Sequence, residues 1–439
     1  RPPRSTLFPY TTLFRSLRPV DANSAAAIDG WQSLHMGDLG PDADSESLRA
    51  AWNTFCDRLR DGADTILDGS RPAEGDDHAE GFRHLLRRLQ SAIGSGVEGG
   101  DARYPELAWV HPSKNGQDNP DGLYQVAAVD LANTYRLAGN VGTVCYLGLT
   151  LMTFDFGRAP IEQLLTLDGS ALPVDGNGDF EIHFGAGPAP DGATEGTWFE
   201  LPPKRCKLLV RQFFDDWDSE VPAELRIDCV DAGPPTSRMD ARRIIHHLGT
   251  VAEQVAPMTA FWSDFGRGHL ERGEVNSFDH LDPTRGPDLA MGASPQQGYG
   301  QTWWQVSEGE ALLYEVEVPE CVYWGVQLGD VWYQSLDWVN RQSSLNGHQA
   351  TISADGVFRA VISHRDPGIA NWLDTTGATQ GCITYRWNQA DSNPVPTLEL
   401  VPFNDLPARL DDRWSPVTPA ERSEILRLRR HGALRRFRR

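Results

Sequence analysis

His348 and His364 flank a stretch that also carries Asn346, Arg365, Asp366 and Asn371, within SSLNGHQATISADGVFRAVISHRDPGIANW (Ser343–Trp372). Imidazoles titrate near neutrality, so such a pair suits general acid–base catalysis, with Asp366 orienting one ring. The same groups suit a metal, because His348, His364 and Asp366 supply three donors. Against a metal stands Asp366-Pro367-Gly368, a turn signal in which the aspartate caps the turn. No cofactor is therefore expected, and a divalent metal is the lesser alternative. Asn346, Asn371, Trp372 and Trp332 would line a ligand, and Arg341 or Arg365 would take an anionic group. The bland reading stands beside this one: inward histidines are often hydrogen-bonded core residues.

Side-chain parity assigns faces to the strands that would position these groups. On the second strand Phe358, Ala360, Ile362 and His364 share a face. On the first, Asn346, His348, Ala350 and Ile352 do so. A three-residue loop at Ala354-Asp355-Gly356, with glycine in the left-handed position, makes these the same face. Asn346 should then lie opposite His364, pointing inward. A counterpart at Leu172–Phe184 has Phe180, Ile182 and Phe184 inward and His183 outward, so the histidine cluster belongs to the second hairpin alone. Trp303, Trp304, Tyr323, Trp324, Trp332, Tyr333 and Trp338 precede it and suit a cleft for an aromatic, sterol-like or sugar-like molecule.

Around this segment the chain reads as mainly β. Asn177-Gly178-Asp179-Phe180, Trp198, Cys206 and Arg211 recur in order as Asp355-Gly356-Val357-Phe358, Trp372, Cys382 and Arg386. A repeat of this length implies two consecutive jelly-roll-like β-sandwiches from an internal duplication. Helical periodicity covers Asp44–Gly69, His78–Ile93 and Met239–Phe265, with Pro257 expected to kink or break the last. The expected organisation is a helical segment at 17–100, a first sandwich at 101–235, a helical connector at 236–275, a second sandwich at 276–403 and a basic tail at 404–439. Leu7–Ser16, LFPYTTLFRS, resembles a translated sequencing adapter, so 1–16 is set aside as foreign sequence.

The 439 residues carry a net charge of −21, which argues against nonspecific nucleic-acid binding. Residues 422–439 hold eight Arg and one Glu and read as a solvated basic helix or frayed tail. Six scattered cysteines without a C-x-x-C pair exclude zinc ribbons and favour a reducing compartment, hence the cytoplasm. No apolar run is long enough for a membrane span. A soluble chain is expected, with a small-molecule ligand and room for a homo-oligomer.

DNPDGLY (Asp118–Tyr124), LLVRQFFDDW (Leu208–Trp217), YWGVQLGDVWYQSLDW (Tyr323–Trp338), SSLNGHQ (Ser343–Gln349) and HRDPGIANWLDT (His364–Thr375) resemble bacterial proteins with the domain of unknown function numbered 1214. The likeness runs from about Ala102 to near Arg430. It implies a double jelly roll and carries no assigned catalytic residue. Two functional readings follow: binding or conversion of a small organic molecule in the second sandwich, or a non-catalytic binding or assembly module whose polar cluster is structural.

Overall fold

The computed structural model describes residues 45–98, 101–110, 114, 116–153, 161–189, 196–234, 239–284 and 293–437. The adapter-like residues lie outside them, as does Asp44 at the start of the first expected helix.

Nine strands build the first half. β1 (Ala108–Trp109), β2 (Gly122–Asp130), β8 (Arg205–Phe213), β4 (Tyr146–Met152) and β5 (Gln163–Asp168) form one sheet, in that spatial order. β7 (Trp198–Glu200), β6 (Asp179–Gly185), β3 (Tyr135–Asn140) and β9 (Glu224–Cys229) form the other. The second half repeats this order. β10 (Gln297–Gln305), β16 (Gln380–Asn388), β12 (Tyr323–Leu328) and β13 (Ser344–Asn346) form one sheet; β15 (Trp372–Asp374), β14 (Val357–Ser363), β11 (Glu310–Glu317) and β17 (Thr397–Pro402) form its mate. Even the short parallel pairing recurs, β6 with β7 and β14 with β15.

The duplication holds at single residues. Arg211 lies opposite Tyr124 and Gly148, as Arg386 lies opposite Tyr299 and Gly325. Each sandwich has its own core between its two sheets. Leu137, Leu149, Phe180, Ile182, Phe184 and Val210 fill the first; Trp324, Val326, Leu345, Phe358, Ala360 and Ile362 fill the second. Burying such apolar area is the main stabilising term.

Three helices pack against the second half: α1 (Ser45–Leu67), α2 (Asp76–Ile93) and α3 (Ala241–Glu271). Phe55, Ile66, Leu85, Val251 and Val255 meet Trp303 and Trp332 there. α3 runs on through Pro257 rather than breaking, because buried neighbours such as Val255 and Met258 hold both sides of it in helical packing. No helix among the described residues is long and apolar enough to cross a membrane. All six cysteines are free thiols, and Cys206, Cys229 and Cys382 are buried.

Two expectations need correction. The C-terminal residues are not a solvated tail. Thr418 and Glu421 form a capping box that starts α4 (Pro419–Arg436), and its Arg422, Arg429 and Arg436 are buried. The expected hairpin also differs. β13 pairs with β12, placing Asn346 opposite Gly325, and only Ile352 bridges to Phe358. A turn closed by Ala350 N–H on the Asn346 carbonyl at 3.0 Å ends β13 early. The left-handed glycine is where parity placed it, with Gly356 at φ 80°. On β14 the inward face is also as read; on β13 it is Leu345 that enters the core, so Asn346 points out of the sandwich.

Candidate functional site

The structure disperses the residues singled out in the sequence. His364 donates from Nε2 to the Val306 carbonyl at 2.8 Å and accepts from Thr375 Oγ1 at Nδ1, 2.9 Å away. His348 is exposed, with Nε2 3.7 Å from Asp216 Oδ1 in the first half of the chain. The two rings share no partner. Asp366 accepts from Gly368 N–H at 2.9 Å and pairs with Arg422 Nε at 2.9 Å, which is the turn-capping role weighed above. Asn371 ties two strands, donating to the carbonyls of Thr351 and Arg359 and accepting from Thr351 N–H. Arg341 pairs with Asp374 at 3.0 Å. Arg365 stacks on Phe403 at 4.0 Å. Trp372 donates to the Ser363 carbonyl. Trp332 donates to the Asp77 carbonyl at the start of α2. Parity could assign faces, but not which sheet a strand joins.

Asn346 instead lies in a seam. The sheets containing β8 and β12 turn their outer faces toward one another, and Phe213 meets Tyr323 at 5.0 Å between ring centroids. Asp121 sits at the centre, 2% exposed. It accepts from Tyr323 Oη at 2.7 Å, from Trp217 Nε1 at 2.8 Å and from Asn346 Nδ2 at 2.8 Å. Burial raises the Asp121 pKa, and the charge of Arg436 only partly opposes this. Tyr323 is likewise raised well above its ordinary value by burial and then by Asp121. Neither group meets solvent, and the cluster joins the two halves.

α4 closes one side of this seam through its three buried arginines, spaced one heptad apart. Arg422 contacts Asp366 and Gln342. Arg429 donates to Gln349 and lies 4.7 Å over Trp217. Arg436 donates to the Pro120 carbonyl at 2.8 Å and stacks 4.1 Å over Trp217. Such guanidinium–indole contacts are among the stronger cation–π pairs. At the seam's rim Glu220 is pushed up to about 7, first by burial, and accepts from Asp215 N–H.

A second feature escaped the sequence reading. The outer face of β7-β6-β3-β9 bears a hollow of about 810 Å³, lined by Arg136, Asp179, Glu181, Glu224 and Arg226 around Ala138 and Gly139. Strand register explains it, because residues directly opposite one another share a face. One row reads Trp198, His183, Arg136, Asp228; the next reads Glu181, Ala138, Arg226; the third reads Asp179, Asn140, Glu224. Ala138 is thus a short side chain ringed by long polar ones. Arg136 pairs with Glu181, and with Asp228 at 3.3 Å; Arg226 pairs with Asp228 at 3.1 Å. The same face of the second sandwich is different. Glu315 holds the place of Ala138 and pairs with Arg359. Leu313, Val361 and Val401 on that face are covered by Phe403, Leu406 and Trp414. Only pairing register, which spacing alone does not give, would have found this site.

These features define a class: two duplicated jelly-roll sandwiches locked through a polar seam, with one outer sheet whose hollow no other described residue covers. The chain belongs to the family of an uncharacterised protein from Burkholderia cenocepacia. It shares 33% identity and a TM-score of 0.75 with that structure, over 82% of this chain and 99% of the other. A Vibrio parahaemolyticus protein aligns over 78% of this chain and 100% of its own, at 12% identity and a TM-score of 0.43, too distant to carry an argument. No family model matches the chain, and no curated protein does.

Proposed function

We propose that the protein is a non-catalytic binding module that holds a small polyhydroxylated, sugar-like molecule on the open face of the first sandwich. The contrast between the two copies carries this reading. The equivalent face of the second copy is filled by Glu315 and roofed by the chain's own Phe403–Trp414 segment, whereas the first keeps its hollow. The lining offers carboxylates as acceptors and guanidinium groups as donors, which suits hydroxyls better than a sterol or an aromatic body. Trp198, in the same row as His183 and Arg136, offers a ring at the edge. A ligand in the second sandwich on His348 and His364 has less support, because both nitrogens of His364 are engaged within the protein. The motifs quoted above keep the family of unknown function numbered 1214 as the assignment we favour.

A thermal-shift screen of monosaccharides, sugar acids and polyols tests the reading. Ligand binding raises the melting temperature of wild type, since only the native state binds. Ala138→Glu copies the second sandwich and fills the hollow, so it should abolish the shift while leaving the unliganded melting point near that of wild type. A shift that survives Ala138→Glu but vanishes in His348→Ala or His364→Ala would move the site to the second sandwich.

A further inference from the structure

We propose that His269, Glu274 and His280 form a binding site for a divalent transition metal of the zinc class. The three side chains come from one compact piece of backbone. His269 lies in the last turn of α3. Gly273, at φ 71°, reverses the chain, and the Glu274 N–H donates back to the His269 carbonyl at 2.9 Å. Glu274 is then pinned to β10, its carbonyl accepting from Trp303 N–H at 3.1 Å and from Thr302 Oγ1 at 3.0 Å. His280 Nε2 donates to the Gln301 carbonyl of the same strand at 3.1 Å.

One ligand atom from each residue lies within 4.8 Å of the other two. Glu274 Oε2 is central, 2.7 Å from His269 Nδ1 and 3.8 Å from His280 Nε2. Donors around a tetrahedral zinc stand about 3.3 Å apart, given bonds of about 2.0–2.1 Å. Closing the difference turns the exposed His280 ring, whose Nε2 gives up its bond to the Gln301 carbonyl to face the metal.

The chemistry of the donors agrees with the geometry. Arg272 holds both oxygens of Glu274, Nε at 2.7 Å and Nη2 at 2.8 Å. A metal would take the position of the proton now between His269 and Glu274, with Arg272 remaining as the outer partner that orients the carboxylate. Its positive charge lowers affinity relative to a bare carboxylate. Two histidines and one glutamate leave a coordination position open, the pattern of an exchangeable rather than a closed structural site.

The test uses the full chain without an affinity tag, stripped with chelator and titrated with Zn²⁺ by calorimetry and with Co²⁺ by visible absorption. One equivalent should bind with proton release, and Co²⁺ should develop ligand-field bands of a low-coordinate site. His280→Ala, at an exposed position, and the isosteric Glu274→Gln should weaken binding about ten-fold or more with unchanged circular dichroism. Absence of saturable binding at one equivalent, or equal affinity in wild type and His280→Ala, would overturn the proposal.

Discussion

Tyr323 on β12 donates its hydroxyl to Asp121, which precedes β2, across the seam between the sandwiches at 2.7 Å. This contact joins the two halves of a duplicated chain at a point more than 200 residues apart in sequence. Tyr323→Phe removes the donor and leaves a buried carboxyl with one oxygen unserved. The expected cost is about 1–3 kcal/mol, read from urea unfolding.

The arginines of α4 should matter as much as the seam they close. Arg436→Ala removes a cation whose charge acts on Asp121 and empties a space among Trp217, Phe214 and Trp338. Emptying a space of this size costs about 2–5 kcal/mol. Arg436→Lys should recover little, since an ammonium cannot reproduce a planar stacked fork. Equilibrium unfolding of the two variants, compared with exposed Arg427→Ala as control, checks this.

Gly148 and Gly325 are equivalent positions in the two copies, and each lies under a tyrosine two residues earlier. A Cβ at Gly148 would meet Tyr146 Oη at 2.6 Å, and one at Gly325 would meet Tyr323 Oη at 2.7 Å. Both alanine variants should destabilise by about 1–3 kcal/mol from overpacking. Gly325→Ala should be the worse, because moving Tyr323 also disturbs its bond to Asp121. Melting temperatures in parallel would show the order; a larger loss at Gly148 would contradict the seam's role.

Acid sensitivity should trace partly to His84, on the buried face of α2. Burial, then the charge of Arg88, pushes it down to about 3. Between about 6.5 and that value the unfolded chain binds a proton that the folded chain does not. Stability from this group is therefore complete above about pH 6.5 and is lost as pH falls toward 3, at up to about 1.4 kcal/mol per pH unit. His84→Leu should flatten the decline between about pH 7 and about pH 5, measured by urea unfolding at both.

Much of the architecture was legible because it lay in repeated local signals. The order around Gly178 and Gly356, and the alternation of Phe358, Ala360 and Ile362, are readable without a structure, and both reappear in the sheets. The candidate site was not legible for a physical reason. Alternation says that Asn346 and Leu345 face opposite ways, but not which of two sheets claims the strand. The histidines gained their apparent proximity from that missing choice. The charge run at 422–439 misled in another way. Arginine scores as polar whatever its partner, yet Arg422, Arg429 and Arg436 fall on one helical face, and that face is inside.

That arginine face has a consequence for assembly of the fold. Arg422 grips Asp366 of the second sandwich, while Arg436 reaches the Pro120 carbonyl at the threshold of the first. α4 is thus a bolt thrown across both halves. Rigid docking of one sandwich on the other therefore depends on a helix that belongs to neither.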